Sequence, residues 1–234
     1  MAFTPGHARQ IATVLRLREG DLVAVFDGTG RQWTARLTLA TPHRVTARLL
    51  DEHPPEAPPR VRLSLAQVVP RGAAMDLIVA KATELGVSYI VPLEAERSVR
   101  RTSVTGHVAR WRRIIAEAAE QSGRCILPDL VAPCTLDDFL RRHPPDQPLL
   151  ACNEAGAAVP LALACRTLTA PRALTVLVGG EGGLSPEEVR RVTFQGGRLV
   201  SLGPRLLRAE TAALAALVVV QACLGDWAET SVAP

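Results

Sequence analysis

Two glycine-containing segments near the end of the chain have the composition of ligand-binding loops. Residues 178–183 read VGGEGG, after a buried-type strand and before a helix start at Ser185–Pro186. Residues 202–205 read LGPR, after the next strand. Glycines at a strand end let a ligand approach the backbone and leave N–H groups free to bind it. Glycine clusters also form plain tight turns, so this pattern alone leaves a purely structural role open.

The two segments do not match the common nucleotide-binding motifs. No GxGxxG follows a strand, and GxxxxGK[ST] does not occur in the chain. A dinucleotide-dependent oxidoreductase and a P-loop ATPase are therefore disfavoured. Ligands in open α/β sheets bind outside the carboxyl ends of strands. We expect three loops, at 152–156, 179–184 and 202–208, to converge there.

The rest of the C-terminal part predicts the sheet that would position these loops. Strands alternating with helices indicate an α/β domain with a mostly parallel sheet. Ser185, Pro186 and Glu188 predict a capped helix start, and Gly86 is placed to end a helix that starts near Met75. The predicted strands are 61–69, 88–93, 148–153, 173–180 and 197–203, and the predicted helices include 104–121 and 206–224.

The N-terminal part has a different pattern. Residues 13–49 read as short strands, with Asp27-Gly28 as a hairpin signal. The segment EHPPEAPPR at 52–60 has four prolines in nine residues, which favours an extended linker between domains. We predict a small all-β module of about 55 residues before it.

Composition limits the class of protein. Apolar residues make up 47% and charged residues 21%, as in ordered globular proteins. The first residues lack a basic-then-apolar signal segment, and the apolar run 212–224 is shorter than the roughly 20 residues of a membrane span. Five scattered cysteines without a CxxC pair argue against disulfides and a metal site and favour a reducing cytoplasm.

Positive charge is concentrated in two places. Residues 97–124 hold seven arginines against two glutamates, and residues 1–62 hold nine arginines against six acids. Such local basic surfaces indicate a polyanionic partner, although a solvated helix face explains the charge equally well. Lys81 is the single lysine among 27 basic residues, and Glu84 lies one turn away as a structural partner.

Five segments in this order carry a specific resemblance: KATELGV (81–87), ERSV (96–99), RWRRIIAEAAEQSGR (110–124), VGGEGGLSPEEV (178–189) and LGPRLLRAETAAL (202–214). Together they resemble the 16S ribosomal RNA uracil-N3 methyltransferase family of the SPOUT superfamily, over nearly the whole chain. Residues 15–30 resemble the family's PUA-like RNA-binding barrel. The resemblance implies a PUA-like β-barrel over 1–59 and a knotted methyltransferase domain over 60–234.

That resemblance also implies a homodimer, a C-terminal trefoil knot and S-adenosylmethionine in a bent conformation on the knot loops. The family usually has proline at the position of Gly180, so this loop gains an N–H. The N-terminus looks one strand shorter than usual. The implied cofactor contacts are Ala151, Asn153, Glu154, Val178, Gly179, Gly180, Glu181, Gly182, Leu202, Gly203 and Leu207.

Methylation of uridine N3 requires loss of the imide proton and stabilisation of charge on O2 and O4. We expect Arg208 to stabilise that charge. The alternative is that Arg208 binds a phosphate or a carboxylate group. Glu210 and Glu181 could orient or accept the proton, or hold a loop closed, and Thr211 could cap the helix or contact substrate. The expected contacts with 16S RNA of the small subunit are Arg16, Arg18, Arg71, Arg97, Arg112, Gln121 and Arg124.

Three other functions remain open from the sequence. A non-catalytic RNA-binding protein would explain the barrel and the basic helix. Another SPOUT methyltransferase, acting on tRNA or a ribose hydroxyl, would share the loops, although ERSV and EQSGR favour the ribosomal enzyme. A Rossmann-type oxidoreductase is remote, because its fingerprint is missing.

Overall fold

The computed structural model describes residues 1–95, 106–153 and 158–228. The chain forms two compact units. The first contains Met1–Ala57 and Gly123–Leu127, and the second contains Pro58–Ser122 and Pro128–Pro234. The sequence predictions for residues 96–99, including Arg97, and for Glu154 lie outside the described residues.

The first unit is built on a three-stranded antiparallel sheet in the order β1-β2-β3. The hairpin predicted at Asp27-Gly28 is confirmed: the Asp27 carboxylate accepts from the N–H (2.8 Å) and the hydroxyl (2.6 Å) of Thr29. An isolated bridge joins Thr29 to Ile126 of the segment Gly123–Leu127. The strands are β1 (Leu22–Phe26), β2 (Gln32–Ala40) and β3 (Val45–Glu52).

The prediction that this unit is all-β was wrong. Helix α1 spans Pro5–Arg9, and one π-helical turn follows over Gln10–Val14. Thr4 is the N-cap, its hydroxyl accepts from the His7 N–H, and Pro5 stands at the first turn. These are ordinary helix-start signals, and Ala8 and Ile11 pack into the core beneath the sheet.

The second unit contains a parallel sheet in the order β6-β5-β4-β10-β8-β11-β9, and β7 pairs with β5. The predicted α/β architecture with a parallel sheet is confirmed. The strands are β4 (Arg62–Val68), β5 (Tyr89–Glu94), β6 (Asp129–Leu130), β7 (Cys134–Thr135), β8 (Leu149–Cys152), β9 (Val159–Pro160), β10 (Ala173–Val178) and β11 (Arg198–Ser201).

Helices cover this sheet and supply much of its core. The capping box predicted at Ser185 and Glu188 is present, and Gly86 ends α2 with φ +83°. The last helix was predicted to begin at Leu206 but begins at Ala209, because Arg208 keeps an extended backbone and serves as the N-cap. The helices are α2 (Ala74–Glu84), α3 (Val108–Ser122), α4 (Leu136–Arg142), α5 (Leu161–Arg166), α6 (Pro186–Phe194) and α7 (Ala209–Cys223).

The chain doubles back around β8, since β10 lies on one side of it and β11 on the other. From β11 the chain returns as α7 to pack against α2, α5 and β10. The predicted C-terminal trefoil knot stays a prediction. No helix in the described part of the chain is both long and apolar enough to cross a membrane.

Candidate ligand-binding cleft

A cleft lies where the carboxyl ends of β8, β10 and β11 meet the start of α7. Its position agrees with the rule that ligands bind beyond the carboxyl ends of parallel strands where the strand order reverses. The lining residues are Cys152, Asn153, Val178, Gly179, Gly180, Gly182, Gly183, Leu184, Ser201, Leu202, Gly203, Arg205, Leu207, Ala209 and Ala212.

The glycine loop after β10 folds back on itself. The Gly183 N–H donates to the Gly180 carbonyl at 3.0 Å. This reversal brings Gly183 so close to Gly179 that a Cβ on Gly179 would lie 2.9 Å from the Gly183 carbonyl carbon. Because that contact is with backbone, only glycine fits at position 179 without moving the loop.

The loops after β8 and β11 are tied to their neighbours. The Asn153 N–H donates to the Val200 carbonyl at 2.9 Å, which fixes the start of the loop that follows β8. The Gly203 N–H donates to the Ser201 hydroxyl at 3.1 Å. Gly203 has φ +112°, a conformation that favours glycine. Both loops therefore present backbone groups in defined places.

The start of α7 and one arginine make this region electropositive. Ala209 and Ala212, in the first turns of α7, line the cleft, and the N-terminus of a helix carries partial positive charge. Among the described lining residues Arg205 is the only cation and none is acidic. The cleft therefore suits a ligand that has, or develops, negative charge.

Cys152 lines the cleft, but its thiol is a poor nucleophile at neutral pH. Burial raises the pKa of its thiol to about 12, so the thiol stays protonated at neutral pH. The thiolate is the nucleophilic form of cysteine. Cys152 is therefore part of the wall and is unsuited to attack a substrate.

Most of the predicted cofactor contacts lie together in this cleft. Eight of them line it: Asn153, Val178, Gly179, Gly180, Gly182, Leu202, Gly203 and Leu207. Two do not. The Ala151 side chain is buried in the core of the sheet, and Glu181 is exposed on the loop.

The three predicted catalytic residues lie at the start of α7, outside the set of lining residues. Arg208 is exposed, but it stands between the two lining residues Leu207 and Ala209. Glu210 is half-buried and Thr211 is exposed, both in the first turn. These three residues are therefore sequence neighbours of the lining residues Leu207, Ala209 and Ala212.

The predicted RNA contacts are divided between the two units. Arg16 and Arg18 are exposed in the first unit, to which the half-buried Arg124 also belongs. Arg71, Arg112 and Gln121 are exposed in the second unit. The predicted pairing of Lys81 with Glu84 is confirmed, since the Nζ–Oε distances are 2.7 and 2.9 Å.

Three polar lining residues were not among the predicted contacts: Cys152 and Arg205 lie within the predicted loops, and Ser201 lies just outside them. Arg205 follows a glycine-proline pair within three positions of Arg208, and spacing alone could not choose between the two arginines. No group of histidine, cysteine or acidic side chains within the described ranges could hold a metal ion.

Comparison with protein families gives two matches, which together cover most of the chain. Residues 57–221 match the RNA methyltransferase domain, and residues 11–50 match the RNA methyltransferase PUA domain. The first match includes every loop of the cleft.

Individual proteins that are similar to this chain over most of its length are found in several bacteria. The chain is 33% identical to ribosomal RNA small subunit methyltransferase E of Synechocystis sp., over 96% of this chain and 73% of that protein. Identity to the Bacillus subtilis protein of that name is 29%, over 94% and 88% of the two chains. The crystal structure of the Neisseria gonorrhoeae protein bound to S-adenosyl methionine superposes with a TM-score of 0.87 at 32% identity, covering 97% and 93% of the two chains.

Proposed function

Since the chain belongs to the RNA methyltransferase family, we propose that it methylates N3 of a specific uridine in 16S ribosomal RNA, with S-adenosylmethionine as the methyl donor. The observation that carries the proposal is the cleft itself: three loops of one parallel sheet, rich in glycine, meet an arginine and a helix N-terminus. The relative from Neisseria gonorrhoeae, whose structure holds S-adenosyl methionine, supports the choice of cofactor.

The residues present fit this cofactor. Val178, Leu202 and Leu207 give the cleft apolar walls that suit an adenine ring, and backbone groups of the glycine loop suit its polar edges. Arg205 suits the carboxylate of the methionine part. When bound, the cofactor supplies an electrophilic methyl group.

The protein's side chains must stabilise the charge that develops on the base and position the base for methyl transfer. N3 of uridine becomes nucleophilic when its proton leaves, and negative charge then spreads onto O2 and O4 of the base. We assign Arg208 to this charge, because it stands at the positive end of α7 beside two lining residues. Glu210 and Thr211, in the same helical turn, are proposed to orient the base.

RNA is proposed to reach the cleft along the exposed arginines. Arg71 and Arg112 are exposed in the second unit, and guanidinium groups bind phosphate well. Arg16 and Arg18 supply a further basic surface in the PUA-like unit. We propose that the enzyme works in the cytoplasm as a homodimer on RNA of the small ribosomal subunit.

Binding and turnover test this proposal directly. Isothermal titration calorimetry should show one S-adenosylmethionine bound per chain, and incubation with 16S RNA should give 3-methyluridine in a nuclease digest. A protein that binds RNA but not S-adenosylmethionine would be a non-catalytic RNA-binding protein, and the proposal would be wrong.

A further inference from the structure

A second cavity, here called the amino-end pocket, lies at the opposite end of the parallel sheet from the cleft. Ala173, the first residue of β10, lines this pocket, and Val178, the last residue of β10, lines the cleft. At about 3.3 Å per residue, the two ends of the strand are roughly 16 Å apart. The pocket is lined by Arg62, Ser64, Tyr89, Val91, Val131, Cys134, Phe139, Arg142, His143, Pro144, Gln147, Ala173 and Thr175.

The sheet contributes a row of hydroxyl groups to this pocket. Alternate residues of a strand share one face, and in the pairing of β4 with β10 Ser64 is the partner of Thr175, as Ala66 is of Leu177. Ala66 and Leu177 belong to a core cluster that includes residues of α4 and α6. Ser64 and Thr175, two residues earlier on the same face, line the pocket instead. The apolar core therefore stops one row before the amino end of the sheet.

The two hydroxyl groups differ in their partners. The Thr175 hydroxyl accepts from Gln147 Nε2 at 2.7 Å and lies 3.0 Å from His143 Nε2. Ser64 is 8% exposed, and its side chain forms no hydrogen bond with any residue that the structure describes. Strands of a parallel sheet covered on both faces are usually apolar. The pocket thus contains one hydroxyl fixed by its neighbours and one that is available to a ligand.

Two arginines give the mouth of the pocket positive charge. Arg62 is the first residue of β4 and Arg142 is the last residue of α4, and both are exposed. Neither guanidinium forms an ion pair or a hydrogen bond with another described residue, and Asp138, which attracts Arg142, is paired with Arg141. None of the described lining residues is acidic. Because arginine binds phosphate through paired N–H groups, the mouth suits a phosphate group.

The interior of the pocket suits a flat ring. Its walls include Tyr89, Phe139, Val91 and Pro144, and aromatic side chains bind nucleic acid bases by stacking. The volume is about 300 Å³, at the lower end of the roughly 300–1,000 Å³ of small-molecule sites. A flat ring beside hydroxyl groups, with a phosphate at the mouth, is the chemistry of a single nucleotide.

We propose that the amino-end pocket binds one nucleotide, whose base packs against Tyr89 and Phe139 and bonds to the Ser64 hydroxyl. Its phosphate binds Arg62 and Arg142. The nucleotide comes either from the RNA substrate, as an anchor away from the base that is methylated, or from free nucleotides. The RNA source rests on the proposed function, whereas the ligand chemistry of the pocket does not.

Titration with uridine 5′-monophosphate, followed by NMR of the ¹⁵N-labelled chain, tests the site. Amide shifts should be largest at Ser64, Tyr89 and Thr175. Arg142→Ala should raise the Kd of the monophosphate at least about fivefold but that of uridine less than twofold, because uridine has no phosphate. Arg166→Ala removes an exposed charge that does not line the pocket. This matched control should leave both Kd values within twofold.

Ser64→Ala gives a second test that separates binding from folding. Since the Ser64 hydroxyl has no partner among the described residues, its removal should leave Tm unchanged. It should weaken binding of the monophosphate and of uridine at least about threefold each. Amide shifts confined to the cleft, or monophosphate affinity that neither Arg142→Ala nor Ser64→Ala changes, would overturn the inference.

Filter binding with 16S RNA distinguishes the two sources of the nucleotide. If Arg142→Ala raises the Kd for RNA at least about threefold more than Arg166→Ala does, the pocket holds a nucleotide of the RNA. Equal effects of the two variants, with monophosphate binding that still depends on Arg142, assign the pocket to a free nucleotide. Failure of the proposed function is visible separately: the wild-type chain would then form no 3-methyluridine while the monophosphate still binds in the pocket.

Discussion

The Glu56 carboxylate, in the proline-rich segment before β4, accepts hydrogen bonds from two successive backbone N–H groups, those of Cys125 (2.5 Å) and Ile126 (2.7 Å). The segment that contains these two residues also pairs with the β1–β2 turn, since the Gly30 N–H donates to the Cys125 carbonyl at 3.0 Å. The Glu56 side chain thus fixes the segment Gly123–Leu127, which is distant in the sequence, within the first unit.

Glu56→Ala should therefore destabilise the first unit. Charged hydrogen bonds contribute about 1.5–3 kcal/mol each, and Glu56 is half-buried, so we expect a loss of about 2 kcal/mol. The measurement is amide hydrogen exchange at Cys125 and Ile126 together with urea unfolding. Glu52→Gln, which removes an exposed pair with Arg31, is the control and should change little. Unchanged protection in Glu56→Ala would refute the role of this carboxylate.

Gly179→Ala should impair cofactor binding much more than Gly180→Ala. The added methyl group at position 179 meets the Gly183 backbone at 2.9 Å, whereas at position 180 it meets one Val68 methyl group at 3.3 Å. A side-chain methyl can shift, but backbone in a closed turn cannot shift without opening the loop. Calorimetry should show at least tenfold weaker S-adenosylmethionine binding for Gly179→Ala and less than threefold for Gly180→Ala. Equal affinities in the two variants would contradict this picture of the loop.

The two arginines near α7 should affect different kinetic constants. Arg208→Ala removes the proposed stabiliser of charge on the base, so methylation should fall at least about 100-fold while cofactor Kd stays within about tenfold. Arg205→Ala, in the cleft wall, should mainly raise the KM for S-adenosylmethionine. Steady-state kinetics with 16S RNA measures both, and wild-type turnover in Arg208→Ala would eliminate that assignment.

Cys152 should be dispensable for catalysis. Burial raises the pKa of its thiol to about 12, so at pH 8 the nucleophilic thiolate is almost absent. Cys152→Ser should keep kcat within about threefold, and iodoacetamide at pH 8 should label Cys152 slowly by peptide mass spectrometry. Loss of activity in Cys152→Ser with intact cofactor affinity would instead indicate covalent catalysis.

Stability should fall below neutral pH in part through His143. Burial lowers the pKa of this side chain below its ordinary value of 6.5, although Asp146 opposes the shift. Because the folded-state pKa is depressed, the unfolded chain takes up the proton first as pH falls. Stability is then lost as pH drops through about 6.5 and below. The urea midpoint of the wild type should fall more between pH 7.5 and 5.5 than that of His143→Gln, and parallel profiles would exclude His143 as a contributor.

Local chemistry explains which elements could be predicted from the sequence. The start of α6 depends on Pro186 at its first position and on reciprocal hydrogen bonds between Ser185 and Glu188. These residues are neighbours in the sequence, so the capping box could be identified directly. The predicted strands of the sheet were recognisable because each is a short apolar run. Helix α1 has the same kind of local signal in Thr4 and Pro5. The strand pattern that follows nevertheless led to the prediction of an all-β unit.

Features that depend on distant contacts could not be predicted in this way. The buried Gln67 Nε2 donates to the Gly179 carbonyl at 3.1 Å, although the two residues are 112 apart in the sequence. A glutamine within an apolar strand gives no indication of this partner. The start of α7 depends on the extended backbone of Arg208, whereas the apolar run in the sequence continues through Leu206 and Leu207. The predicted start of this helix was therefore three residues too early.

Nucleoside mass spectrometry of 16S RNA tests the central claim most directly. RNA from a strain without this gene should lack 3-methyluridine at one position, and expression of the wild-type chain, but not of Arg208→Ala, should restore it. If 3-methyluridine persists unchanged in the deletion strain, the protein is not the uridine-N3 methyltransferase proposed here.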